Sequence, residues 1–73
     1  MISYNPFWET LRKSEHSTYT LIKNGIAPAT INRLKHNKSV SAQTLNDLCQ
    51  LLQCHVEDII EIVLDKKIDN QEL

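Results

Sequence analysis

Asn32 and Arg33 are adjacent in the sequence, and each side chain can make a pair of hydrogen bonds to a planar partner. Arginine can donate two hydrogen bonds to guanine O6 and N7, and asparagine can pair with adenine N6 and N7. The small Ala29 lies one helical turn before this pair and His36 one turn after it. An alanine there would let a helix approach the floor of a DNA groove or touch a thymine methyl group. The spacing therefore indicates a surface that reads base edges, and a plain solvated helix face is the alternative.

The opposite side of the same segment is apolar. At about 100° per residue, the side chains of Ala27, Ile31 and Leu34 fall together on one side of a helix, away from Asn32 and Arg33. We expect these three residues to be buried against neighbouring helices. The outward side then carries neither an acid nor a large apolar group.

Donor side chains surround this segment, and they suit contacts to phosphate, which fix the register of a protein on DNA without reading its sequence. The candidates are Thr18, Tyr19, Lys35, Asn37 and Lys38. Charge is distributed in the same sense, although the formal net charge of the 73-residue chain is only −1. Residues 16–38 carry four basic and no acidic side chains, whereas residues 39–73 carry a net charge of −5. This pattern suits a basic face turned toward phosphates, and a chance fluctuation is the alternative.

Local signals place these residues on short helices. Asn5 and Pro6 read as the cap and first residue of a helix over about 6–14, and Ser17 as the cap of a second helix over about 18–24. Gly25 stands where a helix ends in a left-handed residue. Pro28 then opens a third helix that reaches about residue 36. Two short helices joined by a glycine-containing turn form a helix-turn-helix, over about residues 17–37.

Two further helices and a short arm complete the predicted fold. Ser41 caps a fourth helix, whose inner stripe is Leu45, Leu48, Cys49 and Leu52. A fifth helix is predicted with two acids in its first turn and Ile59, Ile60 and Val63 on its inner face. Residues 2–4 could form an extended arm. We therefore divide the chain into an N-terminal arm (1–5), an all-α five-helix domain (6–64) and a polar, frayed tail (65–73).

The order of these elements resembles the lambda-repressor-like helix-turn-helix family, the type found in Cro and phage repressors. Residues 17–38 are similar to that family's second helix, turn and recognition helix, and residues 40–60 to its last two helices. The opening residues 2–8 resemble a compact subgroup of Gram-positive bacteria and their mobile elements. The resemblance covers about residues 5–64. It implies sequence-specific binding of double-stranded DNA by a small cytoplasmic transcriptional regulator of the repressor type.

The resemblance also implies roles for individual residues. Base contacts fall on Pro28, Ala29, Asn32 and Arg33, and phosphate contacts fall near Ser17, Thr18, Asn37 and Lys38. The chain departs from the family pattern at Thr18, where the family often has glutamine, and at Ala27, where it usually has a serine or threonine cap. The segment of the second helix and turn is also one residue shorter than the common form.

Other classes of function find little support in the sequence. Cys49 and Cys54 are five residues apart, which does not match the close cysteine pairs of zinc sites, so we expect Cys49 to be a buried structural thiol. No glycine-rich loop, paired carboxylates or Ser/His/Asp set points to an enzyme, a cofactor or a small-molecule ligand. The longest apolar run is Ile62–Leu64, far shorter than the roughly 18 residues that span a bilayer. No signal peptide is visible in residues 1–9.

Two kinds of protein partner are considered: a second copy of this chain on DNA, and a different protein bound in place of DNA. A single small domain offers one recognition helix, so we expect a homodimer on DNA. Its interface could come from the apolar width of the fifth helix, at Ile62–Leu64, or from the aromatic patch of Tyr4, Phe7 and Trp8. The aromatic side chains could instead fill the core. The main rival hypothesis is a protein-interaction module of the same fold, such as an antitoxin-like partner.

Overall fold

Four α-helices and a two-stranded antiparallel sheet form the fold in the computed structural model, which describes residues 1–65. The predicted tail lies outside the described residues from position 66 onward. In chain order the elements are β1 (Ile2–Ser3), α1 (Asn5–Lys13), α2 (Thr18–Lys23), α3 (Pro28–Lys35), α4 (Ala42–Leu52), a 3₁₀ turn (Val56–Asp58) and β2 (Glu61–Ile62).

The start and end of α2 follow the predicted signals. The Ser17 hydroxyl accepts a hydrogen bond from the Thr20 amide (3.3 Å), and the Thr20 hydroxyl accepts one from the Ser17 amide (2.8 Å), which completes a capping box. Gly25 has φ 108°, and the Ile26 amide donates back to the Leu21 carbonyl at 3.0 Å. This closure is a Schellman motif, which needs a residue that tolerates a left-handed backbone.

The starts of α1 and α3 have no side-chain cap of their own. Asn5 is the first residue of α1 and not its cap, so the predicted Asn5 cap is wrong; its amide donates to the Ser3 hydroxyl at 3.2 Å. Ala27 precedes α3 in an extended conformation, with Pro28 in the first turn. Because Ala27 lies outside the helix, the helical period does not apply to it, and it is exposed where we expected it to be buried.

The core is one cluster of apolar side chains drawn from every helix. Tyr4 and Phe7 are wholly inaccessible to solvent, so these two rings fill the core and do not offer an apolar patch for dimerisation. The Trp8 ring packs edge-on against Phe7, with ring centroids 4.7 Å apart. The buried residues are Tyr4, Phe7, Leu11, Leu21, Ile26, Ile31, Leu34, Leu48, Leu52 and Ile59.

The predicted fifth helix is wrong. The chain makes only the 3₁₀ turn at Val56–Asp58, and Ile59 then enters the core. From Glu61 it is extended and pairs antiparallel with β1, Ile2 opposite Ile62. The Met1 ammonium group donates to the Val63 carbonyl (2.7 Å), and the Val63 amide donates to the Met1 carbonyl (2.8 Å). β-Branched residues favour such a strand, and the pairing uses backbone groups that a helix would have to satisfy internally.

Candidate nucleic-acid interface

The outer face of α3 is exposed because its inner face is anchored. Ile31 (5% exposed) and Leu34 (0%) point into the core. The predicted base-contacting residues on the helix therefore lie on the surface, and His36 follows them as the C-terminal cap. All five are exposed: Pro28, Ala29, Asn32, Arg33 and His36.

Two of these side chains already have partners within the protein. Arg33 Nη1 donates to the Ser39 carbonyl at 3.3 Å, so the guanidinium is turned toward the loop after α3. His36 Nδ1 lies 2.9 Å from the Asn32 carbonyl oxygen. A carbonyl only accepts, so Nδ1 carries the proton and Nε2 is left to face outward. Within residues 1–65 the Asn32 carboxamide has no hydrogen-bond partner, and it is free to pair with a base.

The loop after α3 is held by Tyr4. Asn37 adopts a left-handed backbone (φ 54°), and its Oδ1 accepts a hydrogen bond from the Tyr4 amide at 3.0 Å. The Tyr4 hydroxyl donates to the Lys38 carbonyl at 2.7 Å. Burial raises the pKa of Tyr4 against the opposing effects of a backbone hydrogen bond from Val40 and the charge of Arg33, so the phenol stays protonated and able to donate. The Asn37 oxygen thus accepts a hydrogen bond inside the protein, and its side-chain NH₂ group is the part that can donate to phosphate.

The start of α2 forms the other border of the candidate interface. The hydroxyl of Ser17 is engaged in the capping box, and Tyr19 is 68% exposed. Lys23 Nζ lies 5.6 Å from the centre of the Tyr19 ring, a cation–π distance. Sequence reasoning missed Lys23 as a member of this site, although its spacing of four residues from Tyr19 on one helix could have revealed it.

A groove of about 740 Å³ runs beside this border. Trp8 and Leu11 supply its apolar wall, and Ser17 and Thr18 line its other side. Arg12 on the rim forms an ion pair with Glu9, which lowers the pKa of that exposed carboxyl group. The charge of Arg12 is therefore partly neutralised by Glu9. Lys35 and Lys38 are exposed and form no ion pair with an acid within residues 1–65.

The basic side chains of the site are separated from the acids by element. Lys23, Lys35 and Lys38 lie on α2, on α3 and in the following loop. The acids of the second half of the described chain lie on α4 or after it, at Asp47, Glu57, Asp58, Glu61 and Asp65. The segment that forms α2 and α3 therefore carries basic side chains and no acidic ones.

Membrane-spanning helices and metal-binding clusters are both absent from the described residues 1–65. No helix within residues 1–65 has the length and apolar character needed to cross a membrane. In the same residues, no three histidine, cysteine, aspartate or glutamate side chains are grouped so that they could hold a metal ion.

Comparison with known proteins agrees with this geometry. Residues 7–65 match the family of Cro/C1-type helix-turn-helix DNA-binding domains. The fold is similar to the crystal structure of the transcriptional regulator VanUg (Form II), with a TM-score of 0.78 and 31% sequence identity over 88% of this chain and 87% of that chain. No curated protein sequence matches the chain. The protein belongs to the Cro/C1-type helix-turn-helix family of DNA-binding domains, the regulators that the sequence resemblance indicated.

Proposed function

We propose that the protein is a sequence-specific transcriptional regulator that places α3 in the major groove of double-stranded DNA. The observation that carries the proposal is the outer face of α3, which is exposed, free of acids and bordered by donor groups on both sides. A helix of this kind fits the major groove, where each base pair shows a distinct pattern of donors and acceptors.

Each exposed side chain has a role that follows from its chemistry. Asn32 and Arg33 read adenine and guanine edges, and Arg33 gives up its single hydrogen bond to Ser39 to do so. Pro28 and Ala29 allow the start of the helix to approach the groove floor. His36 offers Nε2, an acceptor while Nδ1 carries the proton, to a donor group on a base edge.

Phosphate contacts fix the register from two sides of α3. Lys35 and Lys38 neutralise phosphates on one side. On the other side, donors at the start of α2 reach the opposite backbone. Asn37 contributes its side-chain amide nitrogen, which can donate to phosphate while its oxygen accepts from the Tyr4 amide. The remaining candidates are Ser17, Thr18 and Tyr19.

Occupancy of a promoter is enough to repress it. Repression by steric exclusion needs only a tightly bound domain. We therefore propose that the protein represses transcription. Such a function requires the compartment that holds the DNA, which agrees with the cytoplasmic location expected from the sequence.

We also propose that two copies bind one site. A single module of this size contacts about 600–1,000 Å² of DNA-facing surface, which favours pairing on a palindromic site with recognition helices about 34 Å apart. The side chains that suit an interface between copies lie at the β1–β2 sheet: Ile62 is 62% exposed and Leu64 80%. Met1, 78% exposed, adds to the same end of the sheet.

A binding titration tests the proposed function. Fluorescently labelled duplexes covering the DNA next to the protein's own gene are titrated with protein at two salt concentrations, with a scrambled duplex of equal length as control. We expect tighter binding to one natural segment, weakened by salt. Equal affinity for all duplexes at both salt concentrations would support the rival hypothesis of a protein-interaction module.

A further inference from the structure

The end of α4 brings two thiol groups together. Gln53 adopts a left-handed backbone (φ 54°), and the Cys54 amide donates to the Cys49 carbonyl at 3.1 Å. This six-residue closure is a Schellman motif, in which the side chains of the first and last residues commonly touch. Both of those residues are cysteines here, although they are five positions apart in the sequence.

Both thiols can be reached from outside the core. Cys49 and Cys54 are half-buried and free, where the sequence led us to expect that Cys49 would be a sealed structural thiol. Together they line a shallow cavity of about 280 Å³ beside Gln50, Gln53 and His55. A small ligand therefore has access to both sulfur atoms from the same opening.

The two sulfur atoms also interact with one another. Burial, together with the charge of the neighbouring Cys49 thiol and a hydrogen bond to it, raises the pKa of Cys54 to about 11. The hydrogen bond from the Cys54 amide to the Cys49 carbonyl and the cavity that both residues line bring the two side chains close together. The pair is therefore a dithiol in space.

We propose that Cys49 and Cys54 form a binding site for a soft metal ion that accepts two sulfur ligands, of the class of Cu(I). Soft thiolate ligands favour Cu(I), Zn²⁺ and iron–sulfur clusters, and Cu(I) is the one of these that two sulfur ligands can hold. Zn²⁺ prefers four ligands, and the described residues offer no group of three. On binding, two S–H bonds break, two S–Cu bonds form and both protons pass to solvent, without a change of oxidation state.

Competition for Cu(I) tests this proposal. The reduced full chain is titrated under anaerobic conditions into the coloured Cu(I) complex of bathocuproine disulfonate, and loss of colour reports transfer of the metal. We expect one Cu(I) per chain. Cys49→Ser and Cys54→Ser should each bind about 100-fold more weakly, because a two-point attachment becomes a single one. Asn46→Ala, at an exposed position on α4 outside the cavity, is the control and should bind like the parent.

A second measurement separates the folded site from two cysteines on a flexible chain. Cu(I) should raise the thermal unfolding midpoint of the parent, because it binds the folded state more tightly than the unfolded one. It should leave the midpoints of both serine variants unchanged, and circular dichroism checks that these variants are folded. The proposal is overturned if the serine variants take up Cu(I) as tightly as the parent, or if Cu(I) does not raise the parent's midpoint.

Discussion

Tyr4 connects the N-terminal strand to the loop that ends the recognition helix, and it does so with two hydrogen bonds from one wholly buried residue. Sequence reasoning placed this ring either in the core or in a dimer surface. Nothing in the local sequence indicates a contact with residues more than 30 positions away. The hydrogen bonds of Asn37 and Arg33 could not be predicted from the sequence for the same reason, because side-chain partners depend on the assembled fold.

Removal of the Tyr4 hydroxyl should weaken the fold measurably. Tyr4→Phe leaves the ring in the core but takes the hydrogen bond from the Lys38 carbonyl, so we expect a loss of about 0.5–1.5 kcal/mol in the free energy of unfolding. Tyr19→Phe is the matched control, because the Tyr19 ring is 68% exposed and its hydroxyl faces water. Urea unfolding of both variants provides the measurement, and equal effects at the two positions would contradict this role of Tyr4.

Lys35, at the end of α3, and Lys38, in the loop after it, should contribute to DNA binding through their charge alone. Lys35→Ala and Lys38→Ala should each weaken binding to all duplexes about equally and lower the slope of log affinity against log salt by about one. Lys38→Arg, which keeps the charge, should leave the slope unchanged. Loss of affinity for the preferred duplex alone would show that the lysine reads bases.

Among the elements, the four α-helices could be predicted because their boundaries are set by local signals. Ser17, Gly25 and Ser41 act within one turn of their own position, and the predicted bounds of the first three helices lie within one residue of those observed. The outer face of α3 follows from the same local information. The exposed positions of Asn32 and Arg33 were therefore predictable, although their hydrogen-bond partners were not.

The segment after α4 could not be predicted in this way. Its apolar residues at Ile59, Ile60 and Val63 have a spacing that a helix would also show. The deciding interaction is the pairing of β2 with β1, almost the whole chain length away. A helix here would also have left the backbone of Ile2–Ser3 without its strand partner.

The start of α3 has no side-chain cap, so adding one should raise the free energy of unfolding. Ala27 already has the extended backbone of a helix cap (φ −65°, ψ 143°) but no side chain to accept the free amide of the first turn. Ala27→Ser should raise the free energy of unfolding by about 0.5–2 kcal/mol, and Ser17→Ala, the reverse change at α2, should lower it by a similar amount. Thermal or urea unfolding measures both. A destabilised Ala27→Ser variant would show that α3 begins differently.

For the whole molecule, the fold separates the proposed DNA-facing segment from a second surface at the β1–β2 sheet. The basic residues Lys23, Arg33 and Lys35 lie on α2 and α3, whereas the exposed apolar residue Ile62 lies on β2 and Leu64 follows two residues later. Tyr4 follows β1 directly and holds the loop after α3, so this residue links the sheet to the end of α3. A contact between copies at the sheet would therefore fix the position of α3 relative to its partner.

The number of chains on one duplex tests the proposed pairing. Leu64→Lys places like charges near one another at an interface formed by two identical copies, so we expect it to lower the stoichiometry on a palindromic duplex from two chains to one. Gln50→Lys, at an exposed site on α4, adds the same charge away from the sheet and should keep two. Light scattering of the complexes gives the stoichiometry. One parent chain per duplex at saturating protein would refute the dimer.

Base reading by the outer face of α3 can be tested through the sequence specificity of the Asn32→Ala and Arg33→Ala variants. Each variant is titrated against the preferred duplex and against duplexes with every single base-pair change in the site, with Gln50→Ala as control. We predict that each loses about 1–3 kcal/mol on the preferred duplex and relaxes the preference at one base pair only. Parental affinity and parental preference in both variants would contradict the account.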